Sequence, residues 1–131
     1  MRFDPNFFQR RRFTTAEIKA LSHSAKKDLT TAKKYDSAEV AFTFSYQAFL
    51  KLGITVIAKH GYKAKSREGH HIAIIEKLAE IDGNQEIRLI GEAMRRKRNI
   101  DLYAGGTVVS EKEAFEYRDF VGKLINKYLK T

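Results

Sequence analysis

The chain has 131 residues, the size of one ordinary domain with a single hydrophobic core. Hydrophobic residues make up 43% of it, which is ample material for a core and argues against bulk disorder. Cysteine is absent, so disulfides, thiolate zinc sites and cysteine nucleophiles are all excluded. The formal net charge of +9 favours polyanionic partners, although small basic proteins are common and the charge alone does not prove one.

Hydropathy and the N-terminal sequence bear on location. We find no apolar run that approaches the roughly 20 residues needed to span a bilayer. The N-terminal sequence MRFDPNFFQRRRF lacks the apolar stretch of a secretory signal. We therefore expect a soluble, cytoplasmic protein that makes no membrane contact.

Residues 1–13 mix four phenylalanines with Arg10, Arg11 and Arg12 and show no sustained period, so we predict a basic aromatic N-terminal arm. Two interpretations of the arm are open. Its phenylalanines cover the rest of the fold as a terminal strap, or the arm contacts RNA or a partner. Residues 14–131 are predicted to form one helical domain.

Apolar positions at three- and four-residue spacing predict five helices in that domain. Capping residues such as Ser37 and Ser110 mark the starts of predicted helices. Glycines such as Gly61 mark their ends, and we expect Gly61 in the left-handed conformation. The first predicted helix begins at Thr14 or Thr15 and ends at Lys34, and the second covers 38–60. The third begins between 66 and 69 and ends at 82. The fourth covers 84 to about 103, and the fifth covers 111–130.

The fold class follows from these helices and from the position of the single proline. Pro5 leaves the remainder of the chain free of the strongest helix breaker. Short connections favour antiparallel packing of sequential helices. We predict an all-α fold, an up-and-down antiparallel bundle of four to five helices with essentially no strand.

The fourth predicted helix has two apolar sides. At about 100° per residue, Arg98 falls in the middle of one apolar stripe. That stripe contains Ile87, Ile90, Met94 and Leu102. The opposite strip contains Leu89, Ala93, Ile100 and Tyr103, with Arg96 among them. Neighbours are therefore expected on both sides, within the bundle or across a homodimer interface.

A guanidinium in an apolar stripe needs a partner, because burying it alone is costly. Two interpretations are open. Arg98 forms a salt bridge with a core-lining acid such as Glu39, Glu76 or Glu116, or it faces a cleft and binds phosphate. In the second case Asn99 and Tyr103, which follow it on the helix, can assist.

Several short motifs, in this order and spacing, resemble the HEPN superfamily over roughly residues 14–130. They are Phe44-x-Tyr46-x-Ala48-x-x-Lys51 in the second helix, the Gly61-Tyr62 exit, Ser66-Arg67-Glu68-Gly69-His70-His71 before the third, and Arg98-Asn99-x-x-x-Tyr103 near the end of the fourth. Many members are metal-independent endoribonucleases, and many are toxins paired with a minimal nucleotidyltransferase antitoxin.

The resemblance implies a site made of an arginine, a polar residue and a histidine that is separated from the arginine by four to six residues. The site is duplicated across a homodimer. Arg98 and Asn99 match the first two positions. Tyr103 stands at the nearest position allowed for the histidine, and no histidine follows His71 in the chain. An unperturbed tyrosine with a pKa near 10 is a poor proton acceptor at neutral pH. The candidate catalytic residues are therefore Arg98, Asn99 and Tyr103, in a site that departs from the family pattern.

Other polar features carry weaker signals. His70 and His71 diverge by about 100° on a helix, so they are not expected to chelate one metal, and a capped first turn accounts for them. We expect no metal site and no cofactor. The basic loop 59–67 either is a solvated turn or binds single-stranded RNA. The candidate nucleic-acid-binding residues are Arg95, Arg96, Lys63, Lys65 and Arg67.

Two functions are consistent with these features. The first is a HEPN-like homodimer that binds RNA or a nucleotide-bearing partner, with ribonuclease activity as an open question. The second is a non-enzymatic interaction module that partners a minimal nucleotidyltransferase, in which the polar residues of the fourth helix are purely structural.

Overall fold

Five α-helices carry most of the chain, which confirms the predicted all-α bundle. The computed structural model describes the backbone of residues 1–104 and 109–130 and the side chains of residues 1–100 and 109–130. Two short strands accompany the helices. In chain order the elements are β1 Phe8–Arg10, α1 Thr15–Lys34, α2 Ala38–Lys59, β2 Tyr62–Ala64, α3 His70–Asp82, α4 Gln85–Ala104 and α5 Glu111–Tyr128.

The helices begin and end where local chemistry satisfies their free backbone groups. Thr14 and Glu17 form a reciprocal capping box at the start of α1. The hydroxyl of Ser37 accepts from the amide of Val40 at the start of α2. Gly61, just beyond α2, has φ +82°, the left-handed conformation expected there. The helix limits predicted from the sequence therefore agree closely with those observed.

Helix α2 lies at the centre of the bundle. It includes thirteen buried residues, and Leu52 and Ile57 are completely inaccessible. Contrary to the expectation from hydropathy, α2 is long and apolar enough to cross a membrane by length and composition alone. The rest of the structure buries 67% of its most apolar stretch, as is usual for the core helix of a bundle.

The antiparallel packing expected for sequential helices is not observed between α2 and α3, because α3 runs in the same direction as α2. His71, near its start, contacts Tyr46, and Ile74, one turn later, packs against Gly53, which is seven residues further along α2. The connection 60–69 makes this possible, because it is long enough to carry the chain back along the bundle. Helices α1 and α2 are antiparallel, because Asp28 pairs with Lys51 while Lys19 shares a groove with Lys59. Helices α4 and α5 are antiparallel as well, because Lys97 pairs with Glu113 while Asp82, just before α4, pairs with Lys127.

The N-terminal arm pairs with that connection. Strand β1 is antiparallel to β2, with Phe8 opposite Ala64 and Arg10 opposite Tyr62. Phe8 is buried, and Phe3 stacks on Tyr62 at a centroid distance of 3.9 Å. The arm therefore covers the bundle with its aromatic side chains, in agreement with the interpretation of residues 1–13 as a terminal strap.

The contact between α3 and α4 depends on Gly91. A Cβ at this position would lie 2.7 Å from Ile75 Cγ2 and 2.9 Å from Phe49 Cε2, whereas a Cβ at Gly122 in α5 would meet nothing closer than 3.9 Å. Both glycines lie in helices, where alanine is intrinsically favoured by about 1 kcal/mol.

We expect Gly91→Ala to lower the free energy of unfolding, because overpacking costs about 1–3 kcal/mol and outweighs the gain in helix propensity. Gly122→Ala is the matched control and should raise the free energy of unfolding by up to about 1 kcal/mol. Urea unfolding of the two variants measures the difference. Equal stability of the two would contradict the close packing at Gly91.

Candidate functional site

The basic run Arg95-Arg96-Lys97-Arg98 in α4 separates into four different environments. Arg95 makes two hydrogen bonds to the carboxylate of Glu92, at 3.1 and 3.2 Å. Lys97 donates to Glu113 of α5 at 2.7 Å. Arg96 is exposed, and Arg98 is half-buried. Two of the four charges are thus paired with acids, and Arg98 alone of the remaining two is directed toward the bundle.

Arg98 lies over the ring of Tyr46. Its guanidinium carbon is 5.8 Å from the ring centroid, within cation–π range. Tyr46 is 1% exposed, and Ile87 and Met94, on the same side of α4 as Arg98, are fully buried. The predicted position of Arg98 in an apolar stripe is therefore observed.

The acids proposed as partners of Arg98 do not pair with it. Among the described side chains, no ion pair joins Arg98 to Glu39, Glu76 or Glu116. All three of these glutamates are exposed and do not line the core. The salt-bridge interpretation with these three residues is accordingly not observed.

A histidine stands next to the same tyrosine. The hydroxyl of Tyr46 lies 3.4 Å from Nδ1 of His71 at the start of α3, and the two rings are 6.1 Å apart. His70 packs edge-on against His71 and its Nδ1 lies 2.7 Å from the carbonyl of Arg67. Tyr46, His71, Arg95 and Arg98 are hereafter called the Arg98 cluster.

Burial and charge set the protonation of this cluster. Burial raises the pKa of Tyr46 to about 12, although Arg98 and Arg95 act in the opposite direction, so its hydroxyl stays protonated at neutral pH. Burial lowers the pKa of His71, and the neighbouring His70, Arg98 and Arg95 lower it further. His71 is therefore neutral at pH 7, with one ring nitrogen donating and the other accepting.

These groups are suited to an anion. Arg98 offers a planar fork of N–H donors, which matches phosphate and carboxylate geometry. A neutral imidazole beside it can donate one hydrogen bond or accept a proton. The carboxylate of Glu92 is occupied by Arg95, which lowers its repulsion of an approaching anion.

The other residues predicted for the site are distributed differently. Asn99 is half-buried, and within the described side chains no hydrogen bond joins it to Tyr46 or His71. The side chain of Tyr103 lies outside the described residues. Lys65 and Arg67 donate to the carbonyls of Pro5 and Asn6 and so hold the arm. Arg96 and Lys63 are exposed.

Sequence reasoning missed the contribution of Tyr46 and His71. The sequence placed Tyr46 in a motif of the second helix and assigned His71 to a capped first turn, and neither was predicted to join the site. The length of the connection 60–69 is the feature of the sequence that permits this contact, because it is sufficient for α3 to begin beside the first half of α2. The sequence does not determine the direction of α3, so the contact between Tyr46 and His71 is seen only in the structure.

Within residues 1–100 and 109–130, no group of three or more His, Asp or Glu side chains is arranged to hold a metal ion. Comparison with protein-family models, with curated proteins and with solved structures finds no match for this chain. The HEPN resemblance therefore stays an interpretation of its motifs.

The lowered pKa of His71 predicts a pH effect on stability. An imidazole whose pKa is lower folded than unfolded stabilises the fold above about pH 6.5, and that stability is lost as the pH falls through the folded pKa. We expect the free energy of unfolding to fall from pH 7.5 to pH 5 by less in His71→Gln than in wild type.

His23→Gln is the matched control, because His23 is an exposed histidine on α1. The variant removes one imidazole that lies outside the Arg98 cluster. Denaturant unfolding at the two pH values measures both variants, and identical pH dependence of His71→Gln and His23→Gln would refute the assignment.

Proposed function

We propose that the chain is a HEPN-like protein that binds RNA, or a nucleotide-bearing partner, through a phosphate group held at the Arg98 cluster. The observation that carries the proposal is the position of Arg98, half-buried over Tyr46 and without an ion pair to Glu39, Glu76 or Glu116. A guanidinium that lies over a buried tyrosine, whose hydroxyl is next to an imidazole, is placed to receive an anionic ligand.

The cluster also supports the ribonuclease activity that the resemblance implies. Metal-independent cleavage needs a group that removes the proton of the ribose 2′-hydroxyl and a cation that stabilises the phosphate. The 2′-oxygen attacks phosphorus, the bond from phosphorus to the 5′-oxygen breaks, and the leaving oxygen takes a proton from water. Neutral His71 is the acceptor of the 2′-hydroxyl proton in this proposal, in place of the histidine missing after Arg98, and Arg98 is the cation.

Loss of the guanidinium tests the site. We expect Arg98→Ala to weaken binding of a single-stranded RNA about tenfold to a hundredfold, since a charge-assisted hydrogen bond contributes about 1.5–3 kcal/mol. Unfolding free energy should change by no more than about 1 kcal/mol, the scale of a cation–π contact. Arg98→Lys keeps the charge without the planar fork and should bind with intermediate affinity.

Arg88→Ala is the matched control for Arg98→Ala, because it removes an exposed arginine from the other half of α4. It should leave RNA affinity close to that of wild type. A loss of about 3–5 kcal/mol in Arg98→Ala, with unchanged RNA affinity in the folded fraction, would remove the site. The alternative, an interaction module for a minimal nucleotidyltransferase, would then be favoured.

A homodimer is part of the same proposal. The side of α4 that faces away from the bundle carries two large exposed apolar residues, Leu89 at 62% and Ile100 at 50%. They are eleven positions apart, about three helical turns, so they point in the same direction, with Arg96 between them. An antiparallel pairing of two α4 helices would place Leu89 against Ile100 of the partner subunit.

We expect wild type to have twice the 15.1 kDa chain mass in analytical ultracentrifugation at micromolar concentration. Leu89→Asp with Ile100→Asp should give the monomer, because it places carboxylates in an apolar interface. Lys112→Asp with Lys123→Asp, on exposed positions of α5, is the control and should stay dimeric. A monomeric wild type would exclude the dimer.

A further inference from the structure

We propose that the opposite end of the bundle carries a second site, which binds phosphate groups of a nucleic-acid backbone. The site is a groove of about 370 Å³ at the place where α1 begins and where α2 and α5 end. That the nucleic acid is RNA rests on the proposed function. The groove itself is independent of the Arg98 cluster.

Basic side chains surround this groove. Lys19, His23 and Lys26 follow one another at helical spacing on one face of α1, and Lys59 and Lys130 face them from the ends of α2 and α5. Buried Ser22 and Leu129 lie beneath them. No acidic side chain lines the groove in the part of the chain that the structure describes. Like charges that converge in this way repel, so fold stability does not account for the grouping.

Lys59 neutralises a backbone carbonyl that would otherwise repel an anion in the groove. Its ammonium donates to the carbonyl of Tyr128 at 2.9 Å, at the end of α5, where helix carbonyls lack internal partners. A carbonyl covered in this way no longer repels a phosphate that enters the groove. Lys19 and Lys26 remain to contact the ligand, the first exposed and the second half-buried.

The basic surface continues from the groove toward the arm. The amide of Arg11 donates to the carbonyl of Gly61, two residues beyond Lys59, at 2.9 Å. Arg10, Arg11 and Arg12 border a cavity of about 450 Å³ beside Gly61. The side chain of Arg11 is paired with Glu17, so Arg10 and Arg12 supply the additional charge. A strand of nucleic acid that occupies the groove can therefore continue over the arm.

The groove is far from the Arg98 cluster. Lys59 lies thirteen residues beyond Tyr46 on α2, which corresponds to about 20 Å along the helix axis. A single phosphate cannot contact both. An oligonucleotide of about 16 nucleotides, at the upper end of known single-strand site sizes, is an appropriate probe.

The test is the salt dependence of RNA affinity for Lys19→Glu with Lys26→Glu. Each lost phosphate contact to a single strand lowers the slope of log affinity against log salt by about 0.7, so we expect a slope smaller by about 1.4. At about 50 mM salt the affinity should fall more than tenfold. Lys112→Glu with Lys123→Glu changes the net charge equally, on exposed positions of α5 outside the groove, and is the matched control.

Equal changes of slope in the two double variants would overturn the groove, because both would then act through net charge alone. Arg98→Ala measured alongside separates this proposal from the previous one. A slope change in the groove variant with unchanged affinity in Arg98→Ala supports the groove and refutes the phosphate site at Arg98. An unchanged slope in the groove variant with weakened affinity in Arg98→Ala refutes the groove. A wild type with no affinity for the 16-mer refutes both the groove and the phosphate site at Arg98. Circular dichroism confirms that each variant is folded.

Discussion

Burial of α2 on almost every side is the constraint on which the remaining structure depends. A helix with so wide an apolar surface is stable in water only when neighbours cover its whole circumference. Helices α1 and α5 cover part of it, α3 and α4 cover another part, and Gly53 and Gly91 let these last two approach closely. The position of α3 follows, because its apolar face must lie on the free side of α2.

The arm and the connection 60–69 stabilise that arrangement from outside. Lys77 of α3 is buried, and its ammonium is satisfied by the carbonyl of Arg2 and the carboxylate of Glu80 while it faces the ring of Phe3. A buried ammonium without these partners would be costly. The arm therefore contributes a polar contact to α3 in addition to apolar cover, and a chain lacking it would lose the contact between Lys77 and the carbonyl of Arg2.

Local signals explain why most of the fold is predictable from the sequence. Thr14, Ser37 and Ser110 cap helices through interactions with residues three positions away, and the apolar spacing of each helix depends only on its own sequence. The pairing of β1 with β2 joins residues more than fifty positions apart. No local pattern encodes such a pairing, so the arm could be expected to cover the bundle without its register being known.

In the candidate site, too, what depends on one helix is predictable from the sequence, and contacts between helices are not. The position of Arg98 in an apolar stripe follows from its own helix, and the structure places it there. Its neighbours Tyr46 and His71 come from two other helices, so a search for a histidine a few residues after the arginine cannot find them. Chemical function depends on distance in space, and an imidazole supplied by α3 can stand beside the guanidinium as well as one supplied by α4. The absence of a histidine after His71 therefore does not by itself deprive the Arg98 cluster of a proton acceptor.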